Sequence, residues 1–157
     1  MLKDPKTHLG SYPLKPNLLA SLFVTITLLI LGSLASATDL RLLIPPFGAS
    51  SVLIFAFPHS PYAKIKSLMG GHLIASAIGI SINSFFHGSL MATALAVGIS
   101  LTVMLLTDTF HPAAGADPIL ISMLNVGAEF LYAPILIGTS LLALMHVTHK
   151  KISEKIL

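Results

Sequence analysis

Between two apolar runs the chain carries FHPAAGADPILI at residues 110–121, which sets His111 and Asp117 among two prolines and a glycine. A histidine titrates near neutrality and can pass a proton. An ionisable group within a membrane-like apolar region is expensive, so function is its default explanation. Asp117 also has a plainer reading, as an acid that caps the start of its own helix. If it is charged it repels an anion, so an anion site requires it to be protonated, paired or turned away. His111 reads either as a proton relay or substrate contact, or as an interfacial histidine after a helix end. The two lie six residues apart, which gives no shared helical face and no familiar ligand motif. His72, in MGGHLIA, is the third residue for gating or proton coupling; packing or capping after Gly70 and Gly71 is its alternative.

A second segment, LLIPPFGASSVLIFAFP at residues 42–58, has the same character. With an offset of 67 residues and no gaps, PPFGASSVLI from Pro45 meets PAAGADPILI from Pro112. Pro45 then matches Pro112, Gly48 matches Gly115, and Ala49 matches Ala116. The prolines Pro45, Pro46 and Pro112 act as structural breakers that disfavour a continuous helix, and the glycines allow an unusual backbone turn. Each segment therefore reads as a short extended leg leading into a half-helix. About five extended residues at ~3.3 Å and ten helical ones at ~1.5 Å span about 31 Å, enough for a bilayer core.

The surrounding sequence is built for lipid. Of 157 residues 54% are hydrophobic and only 10% charged, with a mean hydropathy of +0.88. Charges so few cannot cover the surface of a water-soluble domain. Four blocks are predicted as full membrane helices, about 18–38, 69–86, 90–109 and 131–149. Lys3, Lys6 and Lys15 before an apolar run ending Ala35-Ser36-Ala37 mimic a signal peptide, but the run is long and reads as a retained first span. Residues 1–17 read as a cytoplasmic arm and 150–157 as a cytoplasmic tail, with one transmembrane domain over 18–149 between them.

Charge placement decides how many segments cross. With six crossings and a cytoplasmic N-terminus, every basic residue except Arg41 falls inside; with four crossings, Lys64 and Lys66 fall outside. The positive-inside rule favours six. Three crossings per half gives opposite orientations, so the predicted fold is all-α, a 3+3 inverted repeat with halves at about 18–86 and 90–149.

Two opposed half-helices direct their N-termini, with partial positive charge and N–H donors, towards one midplane region suited to a small anion. The expected substrate-binding residues are Gly48, Ala49, Ser50, Ser51, Gly115 and Ala116. Close packing of small residues is the competing reading of the same pattern. Asn83 is expected in an interhelical hydrogen bond, and Asp108 and Glu129 in solvent near helix ends. The basic balance forms no face for nucleic acid, and there are no cysteines. No hydrolase, metalloprotease or phosphate-loop motif occurs, so neither enzyme activity, metal nor cofactor is expected.

FHPAAGADPIL, with IPPFGASSVLIF and MGGHLIASAIG before it, resembles the HPP family of integral membrane proteins over about residues 15–150. The resemblance implies a transport role, with nitrite the implied candidate substrate. Family descriptions give four transmembrane helices, a number that a count omitting the broken segments would reach. The family's His-Pro-Pro motif here reads His111-Pro112-Ala113, which puts a carried-over substrate preference in doubt. The reading is therefore transport of a small inorganic anion, with or without a proton, across a bacterial inner membrane by a homo-oligomer, taken as a dimer. A non-transporting ligand-binding or scaffold module is the alternative.

Overall fold

In the computed structural model, residues 13–156 are described, and they form an all-helical bundle. Its helices are α1 (Leu14–Thr38), α2 (Pro45–Ala56), α3 (Ile65–Phe86), α4 (Leu90–Leu106), α5 (Asp117–Leu124) and α6 (Ile137–Ile156). Short 3-10 turns lie at Pro61–Ala63 and Pro112–Ala116, and an irregular turn at Leu131–Leu136 leads into α6. Three stretches are long and apolar enough to cross a membrane, Leu14–Thr38, Ile65–Phe86 and Leu131–Ile156. Helix α4 is apolar but has 17 residues, and α2 and α5 are shorter still.

The ends follow from local chemistry. Helix α2 opens with Pro45 and Pro46, and the 3-10 turn opens with Pro112; proline suits a first helical position, where its missing N–H is no loss. The residues just before, Ile44 and His111, are extended, as a following proline demands. Asp39, His87 and Asn125 close α1, α3 and α5 in the left-handed conformation, which short polar side chains tolerate better than most.

Some boundaries differ from those predicted. Helix α1 begins at Leu14, inside the predicted arm; the rest of that arm, residues 1–12, lies outside the described residues. Helix α3 begins at Ile65, so Gly70 and Gly71 sit within it and His72 is not at its start. The predicted span 131–149 is not one regular helix: Ala133 leaves helical geometry ahead of Pro134, and the regular helix continues through Lys150 and Lys151 to Ile156.

The surface is apolar and the interior unusually polar. Leu90, Leu106, Phe85 and Met123 are among many large hydrophobic residues left exposed. Buried positions include Ser50, His72, Ser76, His111, Asp117, Thr139 and His146. Lipid solvates such an exterior, and polar groups at membrane depth must be satisfied inside the protein. Among the described residues half of the buried hydroxyls do so by returning to the carbonyl four residues back, as Thr27, Ser51, Ser100 and Thr139 do.

Candidate functional site

Glycines on α3 set the site's dimensions. A Cβ on Gly71 would lie 2.8 Å from the Cβ of His111 and 3.0 Å from the carbonyl oxygen of Thr109. One on Gly79 would lie 2.9 Å from the Cα of Pro118. The segment from Thr109 to Pro118 therefore rests directly on the α3 backbone, where only glycine admits it. Helix α2 packs on the Pro112–Ala116 turn from the other side. Gly138 on α6 does the same for α2, since its missing side chain makes room for the Phe47 ring.

This packing brings four buried polar side chains into one line. The Ser50 hydroxyl meets His72 Nε2 at 2.8 Å and His111 Nε2 at 2.9 Å. His72 Nδ1 meets Asp117 Oδ2 at 2.7 Å, and the Ser76 hydroxyl donates to the same oxygen at 3.2 Å. His111 Nδ1 donates to the Tyr62 carbonyl at 2.8 Å. Ser50, His72, His111 and Asp117 are all fully buried. The Phe47 ring stands edge-on to His72 and restricts its rotation. The second carboxylate oxygen, Asp117 Oδ1, has no hydrogen-bond partner among the described residues.

The residues singled out in the sequence divide accordingly. His72, His111, Asp117 and Ser50 come together, although His111 and Asp117 share no helical face. Under the 67-residue offset Ser50 corresponds to Asp117, and these two bond opposite nitrogens of the one His72 ring. Ser51 turns away and donates to the Phe47 carbonyl. Ala49 is exposed and Ala116 half-buried, while a Cβ at Gly48 or Gly115 would meet nothing within 4 Å. The first turn of α2 presents fewer N–H donors than expected: Pro45 and Pro46 have none, and Phe47 donates to the Ile44 carbonyl. The donors gathered around Ser50 are instead hydroxyls and imidazoles.

Other expectations on polar residues can be placed as well. Asn83 donates across to Asn125 at 3.0 Å, an interhelical bond as expected. Asp108 is exposed and faces Lys66 at 3.4 Å, and Glu129 is exposed in the turn before α6, accepting the Gly127 N–H. That bond holds the Glu129 carboxyl below the usual glutamate range. Sequence reasoning missed His146 and His149, which are buried on α6 with their Nδ1 atoms unpartnered among the described residues. The available signal was their three-residue spacing, which puts both on one helical face. His149 packs edge-on against Phe23 and Phe55.

Hydroxyl, imidazole and carboxylate occur here in the order found in hydrolytic triads. A nucleophilic oxygen needs an open face towards a carbonyl carbon. The Ser50 oxygen is enclosed and bonded on its other side to His111. The arrangement instead suits passing a proton between bonded groups.

Comparison with known proteins gives a consistent picture. The profile described as the transmembrane region of HPP matches residues 10–156. A transmembrane protein of Dictyostelium discoideum is 33% identical over 147 residues, covering 85% of this chain and 50% of the relative. A second transmembrane protein of that organism is 30% identical over 105 residues, covering 62% of this chain and 34% of the relative. The chain thus spans half or less of the length of these relatives. No solved structure matches it significantly.

Proposed function

Because the chain belongs to the HPP transmembrane family, we propose that it carries a small inorganic anion across a membrane, with nitrite the candidate substrate and a proton as partner. The observation that supports this reading best is the buried line Ser50–His72–Asp117 with His111, which joins the two short helices through α3. Buried ionisable groups at membrane depth are expensive and typically mark a transport path or proton relay. A purely structural bundle needs no such cluster, since apolar packing would stabilise it equally well.

Two further features support the architecture we propose, an inverted repeat with six crossings. Helix α2 and the 3-10 turn that leads into α5 are each entered through an extended residue followed by proline. Corresponding residues of the two, Ser50 and Asp117, grip one imidazole from opposite sides. In this reading the anion occupies the open space beside Gly48, Ala49, Gly115 and Ala116, next to the buried Ser50–His72–Asp117 line. Protonation or pairing of Asp117 removes the repulsion that a bare carboxylate would exert. The membrane we propose is a bacterial inner membrane with both termini cytoplasmic. A homodimer is the proposed assembly, because 157 residues leave little interior for a path within one copy.

Nitrite uptake into proteoliposomes of the purified chain, with a pH gradient on or off, tests the reading. Uptake that responds to the gradient and falls to background in Gly115→Leu is expected. Absence of nitrite uptake by well-folded protein overturns the nitrite assignment, and absence of flux across a wider panel of anions overturns anion transport.

A further inference from the structure

The hydrogen-bond line constrains where its protons reside. The Tyr62 carbonyl only accepts, so His111 Nδ1 carries a proton in every arrangement. The Ser50 hydroxyl has one hydrogen and bonds two imidazole nitrogens, so it donates to one Nε2 and accepts from the other. If it donates to His111, then His72 Nε2 is protonated. The bond between His72 Nδ1 and Asp117 Oδ2 then holds one proton, on either atom. If it donates to His72, then His111 is protonated on both nitrogens, and His72 Nδ1 donates to an ionised Asp117. These three arrangements satisfy every bond in the line. In each of them His72, His111 and Asp117 together carry no net charge, which suits complete burial.

The arrangements differ only in the location of one proton. Moving it from His72 to His111 breaks the His72 Nε2–H bond and forms an O–H bond on Ser50. The original Ser50 O–H bond breaks as a His111 Nε2–H bond forms. Atoms and charge balance, and the heavy atoms already stand at 2.8 Å and 2.9 Å.

We propose that Ser50 is the hydroxyl switch of a proton path running from Asp117 through His72 to His111. Asp117 Oδ1, buried and without a partner among the described residues, is the atom at which the path receives its proton. The other end lies at Tyr62, two residues before Lys64 on the side that the charge pattern makes cytoplasmic. His72 stands seven residues into α3, roughly 10 Å from that end of the helix, so the path covers only part of the membrane. The surface pair Lys66 and Asp108, and His146 and His149 on α6, make no hydrogen bond to any member of the line. The inference rests on the cluster being the coupling element of the transporter, and it adds that each anion entering this neutral site is accompanied by a second proton on the line.

The test uses the full chain in proteoliposomes holding a pH-sensitive dye, with a potassium diffusion potential driving protons inward and nitrite present or absent. Proton movement is expected in wild type and in Ser50→Thr, which keeps the hydroxyl. In Ser50→Ala it is expected to fall about a hundredfold, to the leak of protein-free vesicles. Proton movement in Ser50→Ala equal to wild type overturns the switch. Nitrite uptake is measured in the same vesicles. Uptake without proton movement overturns the path and leaves anion transport standing, whereas Ser50-dependent proton movement without nitrite uptake does the reverse. Nitrogen-15 spectra of histidine-labelled wild-type chain read the arrangement without any substitution. One of the two Nε2 atoms, on His72 or His111, carries a proton at any moment; spectra with both protonated or both bare overturn it.

Discussion

His72 holds its position because each ring nitrogen meets a residue from a different short helix and Phe47 closes off the ring edge. Removing one partner from such a buried pair leaves the other unsatisfied. Asp117→Ala is expected to cost about 3–5 kcal/mol, read as a lower denaturation midpoint in detergent. Asp117→Asn retains a hydrogen bond to His72 but no exchangeable acid. It is expected to denature close to wild type while losing uptake driven by a pH gradient. Gradient-driven uptake that survives in Asp117→Asn contradicts a coupling role for the carboxylate. His111 and Asp117 stood out in the sequence as ionisable residues among apolar ones, but their connection did not. It runs through Ser50 and His72, which lie 61 and 45 residues from them, respectively, and no local spacing encodes such a contact. The same limit hid His146 and His149, whose burial depends on how α6 meets α1 and α2.

Helix α3 organises the bundle through its glycines as well as through His72, Ser76 and Asn83 on its buried face. Gly71→Ala introduces a Cβ within 2.8 Å of His111 and 3.0 Å of a carbonyl oxygen, so the broken segment must shift. A destabilisation of about 1–3 kcal/mol is expected, with loss of transport as His111 moves away from Ser50. Gly98, exposed in the middle of α4, has nothing within 4 Å of an added Cβ. There the change to alanine is expected to stabilise by about 0.5–1 kcal/mol, because alanine is the better helix former. Thermal denaturation of the two variants in one detergent compares them; equal effects would contradict the account of α3. The long helices could be read from apolar length, and the starts of the short ones from their prolines. Glycine is a poor helix former in water, and the span predicted from the sequence starts only at about residue 69, with Gly70 and Gly71 at its beginning. In this bundle close approach of the 109–118 segment outweighs that preference. The break at Ala133 went unread because the apolar run continues across Pro134.

Polar interior and apolar exterior together make sense only with lipid outside, and that much follows from composition alone. How many segments cross is carried by a few lysines. The chain has no cysteine, so single cysteines can be introduced and labelled without background. Lys66→Cys is expected to react from the same side as Lys150→Cys, and Arg41→Cys from the other. Lys66→Cys and Arg41→Cys reacting from one side would contradict six crossings. The 67-residue offset made the two short segments visible as a pair. It could not foretell that their polar residues would share a single imidazole, because the position on α6 corresponding to His72 is Thr139, which bonds the Ile135 carbonyl in the turn leading into α6. The hub is thus single although the segments around it are paired. The most direct measurement is saturable uptake of labelled nitrite, beside nitrate, formate and chloride, by purified wild-type protein and by Asp117→Asn under an inward proton gradient. Saturable uptake of one small anion, accelerated by the gradient in wild type and not in the variant, is the expected result. Uptake of none of these anions by either protein would contradict anion transport through this site.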